Sequence, residues 1–436
     1  MLRALYTIVL TLCSPAIIAR ARWRARRYPQ YRERSLERLG FVPMNRELSQ
    51  SVIWIHAVSV GEVNAAVPLI LALKRQYAGF AIVVTTTTPT GADAVTRQLG
   101  NGVTHLFFPL DAPRFLDRFI ERIRPSALIV METEIWPNLF ARCQHQHIPV
   151  MLANARLSSR SFTKYQMLGR LMAETLAQVS AIAAQDEKDA ERFIALGASR
   201  EITQAIGSLK FDAAFPPSLK EKAQAFRRHL GATRLIFMAG STRAGEEPLV
   251  LEAYRRMRRE FPSLLLVLAP RHPDRVADIV SLISRDGLVA VRRSSEQTCT
   301  NDTNVYLLDT LGELTAFYAA SDVVFVGGSL VPKGSHNVIE PAALGKPVLV
   351  GPNIDNFRDA CTRLSAAGGL QIVANGDELY DAARRLLADA DRRDAVGEFA
   401  RQVVAQNRGS TDRLLAMIGK VLRPLSSVNE ASSESF

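Results

Sequence analysis

Acidic and basic side chains follow several strand-like segments in the first half of the chain, at the points where those segments end. They are Glu62, Glu132, Glu134, Arg156 and Lys210. Because the carboxyl ends of parallel strands meet at one edge of a sheet, we expect these side chains to share a rim. A carboxylate base with nearby cations suits the attack of a sugar hydroxyl on an anionic donor. Glu62 has a simpler alternative, since an acidic residue at a helix N-terminus interacts favourably with the helix dipole.

A glycine-rich segment in the second half, residues 327–357, has the features of a phosphate-binding loop. It reads GGSLVPKGSHNVIEPAALGKPVLVGPNIDNF and follows an apolar run. Two glycine turns and a helical pattern entered by His336, Asn337 and Glu340 would direct backbone N–H groups and a helix N-terminus to one point. Glu340 could also accept hydrogen bonds from ribose hydroxyls. A nucleotide-linked donor is the first hypothesis, and an ordinary glycine-rich loop is the alternative.

Three further loops of the second half follow strand-like segments and carry similar residue types. Their sequences are GSTRAGEE at 240–247, PRHP at 270–273 and LGEL at 311–314. An arginine such as Arg271 can donate parallel hydrogen bonds to a phosphate group. Each loop alone is a weak signal, and together they predict a nucleotide site.

Short apolar segments that alternate with helical segments must position these residues. In the first half, strands are predicted at 52–58, 81–86, 106–109, 127–131, 149–154 and 181–184. In the second half, they are predicted at 235–239, 264–269, 290–291, 305–308, 322–326 and 347–350. This alternation predicts doubly wound parallel sheets and an α/β fold class. Paired prolines at 216 and 217 separate the two series, and two Rossmann-like halves would leave a ligand cleft between them.

The predicted organisation has four parts. Residues 1–40 form an apolar helix followed by a basic segment. Residues 41–215 form the first Rossmann-like domain and residues 216–424 the second, whose last helix, at about 391–421, could cross back onto the first. Residues 425–436 are polar and Ser-rich, which predicts a disordered tail.

The distribution of charge favours a membrane surface over nucleic acid as a partner. The 436 residues carry a net charge of +11, and eight arginines between residues 20 and 38 follow a nearly continuous apolar run at 5–19. Such arginines keep the following domain cytoplasmic, and no nucleic-acid-binding motif is present. The run is shorter than the roughly 20 residues of a full span. It therefore either spans the bilayer or lies on its surface, and a buried first helix is the alternative.

The cysteines give no sign of a metal site. Cys13, Cys143, Cys299 and Cys361 are scattered, which is typical of idle thiols in a reducing compartment. No His, Asp or Glu cluster has the spacing of metal ligands either. We therefore expect no metal and no resident cofactor.

Taken together, these segments resemble the 3-deoxy-D-manno-octulosonic acid (Kdo) transferases of lipopolysaccharide and lipid A biosynthesis, a GT-B glycosyltransferase family (family 30). The matching segments run from about residue 52 to 360 in family order: HAVSVGE, TTTTPTG, FFPLD, METEIWPN, NARLS, GSLKFD, the GST…GEE loop, APRHPDR, LGEL and GGSLVPKGSHNVIEPAALGKPVLVGP. The apolar and basic N-terminal segment is also typical of the family. The resemblance implies an acceptor domain and a donor domain that face a cleft, and a membrane-associated N-terminal helix. The domains would lie on the cytoplasmic face of the bacterial inner membrane.

The resemblance also implies roles for individual residues. Glu62 matches the family's general base, and Glu132 and Lys210 match residues that stabilise the transition state. Contacts to CMP are implied for Pro270, Arg271, Leu311, Gly312, Glu313, Asn337, Val338, Ile339 and Glu340. Candidates for further site contacts are Glu134, Arg156, Ser241, Arg243, Ser335 and His336. The donor would be CMP-Kdo and the acceptor lipid IVA, an acylated glucosamine disaccharide bisphosphate, and the anomeric centre would be inverted as CMP leaves.

Three positions depart from the family pattern. Ser335 stands where glycine is usual, Arg243 replaces a common histidine, and Asn353 replaces a frequent histidine after Gly-Pro. These changes put the details of the phosphate contacts in question.

Three other functions are alternatives. A nucleotide-sugar epimerase of GT-B type would not need the N-terminal anchor and would lack METEIWPN. A dinucleotide oxidoreductase would need a G-x-G-x-x-G segment after the first strand. A non-catalytic membrane scaffold would leave the acids at the strand ends without a purpose.

Overall fold

The computed structural model describes residues 2–27, 34–43, 51–212 and 215–433, which form two compact units. The first unit is Met1–Ala213 with Arg408–Phe436, and the second is Ala214–Asn407. The division lies beside the paired prolines at 216 and 217, where the sequence predicts a break between two series of strands.

Strands and helices alternate along both units. The first unit contains α1 (Leu2–Arg27), β1 (Ser51–His56), α2 (Val60–Gln76), β2 (Phe80–Thr86), α3 (Pro89–Leu99), β3 (Thr104–Phe107), α4 (Pro113–Ile123), β4 (Pro125–Met131), α5 (Pro137–His145), β5 (Val150–Ala155), α6 (Ser159–Met167), α7 (Arg170–Leu176), β6 (Ala181–Ala184), α8 (Glu187–Ala195) and β7 (Thr203–Ala205). The second unit contains α9 (Leu219–Leu230), β8 (Ile236–Thr242), α10 (Glu247–Glu260), β9 (Leu265–Pro270), α11 (Val276–Arg285), β10 (Ala290–Arg292), β11 (Val305–Leu307), α12 (Leu314–Ala320), β12 (Val323–Val326), α13 (Ile339–Ala343), β13 (Val348–Val350), α14 (Arg358–Ala366), β14 (Leu370–Ile372), α15 (Gly376–Ala388) and α16 (Ala390–Gln406). The last helix, α17 (Ser410–Ser433), belongs to the first unit.

The seven described strands of the first unit form one parallel sheet in the order β3-β2-β1-β4-β5-β6-β7. Helices cover both faces, so the strand side chains are almost all buried and the strands read as continuous apolar runs. The strand order reverses between β1 and β4. The carboxyl ends of these two strands therefore border a crevice of the kind that binds ligands in open α/β sheets.

The second unit repeats this plan. Its seven described strands form a parallel sheet in the order β10-β11-β9-β8-β12-β13-β14, and the order reverses between β8 and β12. The predicted α/β class with two doubly wound parallel sheets is confirmed. The predicted strands at 52–58 and 322–326 coincide with β1 and β12 to within two residues. Two edge strands, β7 and β14, were not predicted.

The C-terminal helix completes the first core. Leu414, Met417 and Ile418 of α17 pack with Ile53 and Ile129 on one face of the first sheet. The prediction of one long helix at 391–421 is wrong. The structure has α16 and α17 there: α16 is capped by Asn407, and Gly409, in a left-handed conformation (φ +89°), precedes α17 and accepts from the Arg413 N–H. Only α17 belongs to the first unit.

The predicted disordered tail is also corrected in part. The backbone is helical as far as Ser433, so residues 425–433 continue α17, while residues 434–436 lie outside the described part of the chain. A polar composition does not prevent this, because extending an existing helix costs far less than nucleating a new one.

The apolar N-terminal run forms most of α1. The segment Leu2–Arg20 is long and apolar enough to cross a membrane by length and composition, and none of its side chains is buried. Leu5 and Leu12 are 59% and 75% exposed. The alternative of a buried first helix is therefore wrong. On its other face, the Tyr6 hydroxyl donates to the Asp111 carboxylate (2.9 Å) and Thr7 donates to the Asn138 side chain (2.6 Å), which attaches α1 to the first unit.

Two of the basic residues that follow α1 are used in packing. Arg34 pairs with Glu37 (2.6 Å), and Arg38 stacks over the ring of Phe107 at 4.4 Å from its centroid. The side chains of residues 21–33, which include five of the eight arginines, lie outside the described part of the chain.

Candidate functional site

Glu62 lies in the first turn of α2, directly beyond the end of β1. Its carboxylate accepts hydrogen bonds from the Val58 N–H (2.8 Å) and the Ser59 hydroxyl (3.2 Å), so two donors fix its orientation. Burial raises the pKa of this carboxyl to about 7, and the negative charges of Glu132 and Glu134 add to the effect. Interaction with the helix N-terminus and a role as a base are therefore compatible, because the side chain is both anchored and able to titrate near neutrality.

Glu132 and Lys210 form an ion pair at the same edge of the first sheet. Lys210 lies on a 3₁₀ turn, Leu209–Asp212, and its ammonium nitrogen is 3.4 Å from a carboxylate oxygen of Glu132. Both side chains are about one fifth exposed (21% and 17%). Glu132 directly follows β4 and has φ +56°, a left-handed conformation that is uncommon for glutamate. Such strained residues often occur at functional sites.

Asn154 holds the turn that carries Lys210. It is the last residue but one of β5 and has φ +52°, and its side-chain oxygen accepts from the Leu209 N–H (3.0 Å) and the Ser208 hydroxyl (3.4 Å). At the other end of the turn, the Asp212 carboxylate accepts from the Gly409 N–H (2.7 Å) at the start of the α17 segment. Sequence reasoning missed this positioning role, although Asn154 is part of the post-strand segment NARLS.

The two remaining predicted residues at this edge of the sheet are Glu134 and Arg156. Burial raises the pKa of the Glu134 carboxyl, and the charge of Glu132 raises it further, so three carboxylates influence one another here. Arg156 joins the group through its backbone, since the Thr133 hydroxyl donates to its carbonyl oxygen. The structure thus brings Glu62, Glu132, Glu134 and Lys210 together and places Arg156 on the next strand end.

In the second unit, the Gly-Gly-Ser loop does not present its N–H groups to solvent. The amides of Gly328 (2.6 Å), Ser329 (2.9 Å) and Leu330 (2.9 Å) all donate to the carboxylate of Glu246, which is fully buried. The Arg243 N–H donates to the same carboxylate (2.8 Å). These three amides are therefore not free to cradle a phosphate, because the chain's own carboxylate fills the position of the anion. A phosphate contact at the second glycine turn, residues 333–335, stays a prediction.

Asn353, one of the three departures from the family pattern, braces the same loop. Its backbone and side-chain nitrogens both donate to the Ser329 carbonyl (3.0 Å each). Ser335, the second departure, is fully buried.

The end of the glycine-rich segment forms a polar network. The Asn337 side chain donates to one oxygen of Glu340 (2.8 Å), and the Thr315 hydroxyl donates to the other (3.0 Å). Burial raises the pKa of the Glu340 carboxyl. The helix predicted to begin at His336 begins only at Ile339 and has five residues. Val338 and Ile339 are buried, and the Ile339 N–H donates to the Asn337 side-chain oxygen (3.0 Å).

The other predicted CMP contacts lie after neighbouring strands of the second sheet. Pro270 ends β9, and Arg271 follows with an exposed side chain. Leu311 is 71% exposed beside Gly312, whose φ of +85° requires glycine-like freedom. Glu313 pairs with Arg293 (2.9 Å) at the start of α12.

Ser241, Arg243 and His336 lie at the point where the strand order of this sheet reverses. Ser241 is the last residue but one of β8, has φ +59° and is buried. Arg243 contacts both His336 (3.2 Å) and His272 (2.6 Å). Among the residues that the structure describes, no three His, Cys, Asp or Glu side chains are grouped so that they could hold a metal ion. Independence from metal stays a prediction.

Known proteins similar to this chain identify its family. A family model described as 3-deoxy-D-manno-octulosonic-acid transferase (kdotransferase) matches residues 33–213. Over 419 residues the chain is 37% identical to the 3-deoxy-D-manno-octulosonic acid transferase of Haemophilus influenzae, an alignment that covers 96% of this chain and 98% of that protein. The chain belongs to the Kdo transferase family. The Bordetella pertussis transferase is also 37% identical, over 83% of this chain and 86% of that protein.

Membership of the Kdo transferase family makes the chain a glycosyltransferase, as predicted. Solved structures confirm the GT-B type of fold. The Neisseria meningitidis UDP-GlcNAc 2-epimerase bound to UDP-GlcNAc has a TM-score of 0.58 and covers 85% of this chain and 100% of its own, at 16% identity. A Staphylococcus aureus MnaA–UDP structure has a TM-score of 0.57 at 16% identity, with 86% and 97% coverage. At this identity the likeness shows the fold alone, so the family assignment comes from the transferases.

Proposed function

We propose that this enzyme transfers Kdo from CMP-Kdo to lipid IVA, with inversion at the anomeric carbon and release of CMP. The observation that carries the proposal is the group formed by Glu62, Glu132 and Lys210 in a chain of the Kdo transferase family. It combines an oriented carboxylate that titrates near neutrality with an ion-paired lysine at the ligand-binding edge of a parallel sheet.

Glu62 acts as the general base in this proposal. It takes the proton of the attacking hydroxyl of the acceptor as the new bond from oxygen to the anomeric carbon forms. The bond from that carbon to the phosphate oxygen breaks, and CMP leaves with the bonding electron pair. A pKa close to the working pH suits this role, because much of the carboxylate is then ionised and it is still basic enough to take the proton. The hydrogen bonds from Val58 and Ser59 orient the carboxylate before the substrate arrives.

Glu132 and Lys210 stabilise the charges that develop in the transition state. Glycosyl transfer passes through an oxocarbenium-like state with positive charge near the anomeric carbon, which a carboxylate can stabilise. Lys210 fixes the position of the Glu132 carboxylate through their ion pair and supplies a positive charge for the anionic substrate. The Asn154 contacts to the 3₁₀ turn keep this lysine in place.

The second unit binds the nucleotide. The predicted CMP contacts follow neighbouring strands at the point where the strand order reverses, which is the usual place for a ligand in such a sheet. We assign phosphate contact to Arg271 and ribose contact to the Asn337–Glu340 pair. The structure presents no free amides at the Gly-Gly-Ser loop for this purpose.

The N-terminal helix attaches the enzyme to the cytoplasmic face of the inner membrane, where a lipid acceptor would lie. Support comes from the apolar length of Leu2–Arg20, its exposed side chains and the run of arginines after it. An apolar face combined with basic residues binds anionic bilayers more strongly than either feature alone.

Mass spectrometry of the products tests the proposed function. Purified full-length protein is incubated with CMP-Kdo and lipid IVA, and the lipid and the nucleotide are analysed together. We expect lipid IVA to gain the mass of Kdo while CMP accumulates, and the mass also gives the number of Kdo residues added. Unchanged lipid IVA, or epimerisation of UDP-GlcNAc by the same preparation, would contradict the proposal.

A further inference from the structure

Three loops of the second unit bring an arginine and two histidines together at the carboxyl ends of neighbouring strands. Arg243 follows β8, His272 follows β9, and His336 lies in the loop after β12. The Arg243 Nε donates to Nε2 of His336 (3.2 Å), and one of its terminal nitrogens is 2.6 Å from Nε2 of His272. The guanidinium is thus held from two sides, at the point where the strand order reverses.

Neither histidine neutralises the arginine. A ring nitrogen that accepts a hydrogen bond from a guanidinium must carry a lone pair, so each ring is assigned as neutral with its proton on Nδ1. Burial lowers the pKa of His336 to about 4, and the nearby charges of Arg243 and Arg271 lower it further. Burial and the same two arginines also lower the pKa of His272.

The positive charge of Arg243 has no carboxylate partner within the described residues. Its two side-chain contacts among those residues are to histidines, and the part of Arg243 that donates to Glu246 is the backbone N–H. The contacts to the histidines use two of the five N–H donors of a guanidinium, which leaves three for another oxygen ligand. A fixed guanidinium with free donors matches the geometry of a carboxylate or a phosphate.

Glu246 occupies the other group of donors in this unit that could bind an anion, the amides of Gly328–Leu330. The Gly328–Leu330 amides would otherwise be the natural place for an oxyanion in this unit, and they are satisfied by the buried carboxylate. An anionic ligand at this end of the sheet therefore does not bind to these three amides, and side chains can take their place. Arg243 and the exposed Arg271 are the two arginines of these loops whose charges act on His336.

We propose that Arg243, positioned by His272 and His336, is a specificity-determining subsite for an oxyanion of the donor, either its phosphate or the carboxylate of its sugar. The proposal rests on the proposed function, since it assumes a donor that carries both groups. Arg271 then serves one of the two anions and Arg243 the other.

The test compares Arg243→Gln and Arg243→Lys with a control, Arg256→Gln, in the full-length protein. Arg256 is an arginine of α10 that pairs with the exposed Asp377. Calorimetry measures the binding of CMP and of cytidine, and a transfer assay measures KM and kcat for CMP-Kdo. We expect Arg243→Gln to lose about tenfold or more in affinity, as for a hydrogen bond to a charged group. Arg243→Lys should keep part of the affinity, and the control should match the wild type.

The ligands separate the two sources of the oxyanion. Weaker CMP binding with unchanged cytidine binding identifies the phosphate, whereas unchanged CMP binding with a raised KM for CMP-Kdo identifies the sugar carboxylate. The proposal is overturned if Arg243→Gln, with the melting temperature of the wild type, binds CMP and uses CMP-Kdo normally. If the wild type itself neither binds CMP nor transfers Kdo, the proposed function fails instead.

The positioning role of His336 has its own readout. His336→Gln can still accept from Arg243, whereas His336→Leu cannot. We expect His336→Leu to raise KM for the donor with little change in kcat, and His336→Gln to restore most of the affinity. Equal losses in both variants would show that His336 does not act through Arg243.

Discussion

The buried carboxylate of Glu246 should be a large single contributor to the stability of the second unit. One of its oxygens accepts from Ser329 and Leu330, and the other from Gly328 and Arg243. Glu246→Gln keeps the shape but turns one oxygen into an NH₂ group that faces two N–H donors. A hydrogen bond to a charged group contributes about 1.5–3 kcal/mol, so the loss of two should cost about 3–6 kcal/mol.

That cost is a large share of the roughly 5–15 kcal/mol that stabilises a typical domain. For a unit of this size, it corresponds to a fall in melting temperature on the order of 10–20 °C. The control is Glu252→Gln, because Glu252 is half-exposed on α10 and pairs only with Arg255 among the described residues. Its removal should change stability by less than about 1 kcal/mol.

Two spectroscopic probes assign the loss to one unit. All three tryptophans, Trp23, Trp54 and Trp136, belong to the first unit, so tryptophan fluorescence reports that unit alone. Circular dichroism reports both units. Glu246→Gln should lower the transition seen by circular dichroism and leave the fluorescence transition in place. A melting temperature within about 2 °C of the wild type would refute the anchoring role, since the calculated cost implies a larger shift.

Four further predictions concern the first unit. Because Glu62 must be ionised to act as a base and burial raises its pKa to about 7, kcat/KM should fall about tenfold per pH unit below pH 7, and a profile with its midpoint near pH 4.5 would contradict this. The raised pKa also means that stability is lost as pH rises through about 7, so Glu62→Gln should melt higher than the wild type at pH 8 but not at pH 5. Lys210→Met should lower kcat by about 10²-fold with unchanged CMP affinity in calorimetry, and a change in CMP affinity alone would contradict its assignment. Deletion of residues 2–20 should release the protein from membranes in a pelleting assay at high salt without lowering its melting temperature by more than a few degrees, and continued pelleting would contradict the anchor.

Much of the fold could be predicted because its strands are buried on both faces. β1, β4 and β12 read as continuous apolar runs, and the helices between them are long enough to imply parallel crossovers. The edge strands β7 and β14 have three residues each, too few for a period to show. The break between α16 and α17 takes only three residues, 407–409, which the helical pattern does not reveal.

The candidate site residues that could be predicted from the sequence are those in the segments that follow strands. Glu62, Glu132 and Lys210 meet because they follow strands of one parallel sheet. Glu246 was missed as the partner of the Gly-Gly-Ser loop, because the two segments are separated by more than 80 residues and only the fold brings them together. The same holds for Asn154, whose partner Leu209 is 55 residues away.

Turnover by Glu62→Gln tests the central claim most directly. Transfer of Kdo from CMP-Kdo to lipid IVA is measured with the full-length variant, beside calorimetric binding of CMP. Glu187→Gln is the matched control, since Glu187 is an exposed acid in the first turn of α8. Loss of a general base should lower the rate by about 10²–10⁴-fold, while CMP affinity and the activity of the control stay at the wild-type level. Transfer by Glu62→Gln at the wild-type rate would contradict the assignment of Glu62 as the base.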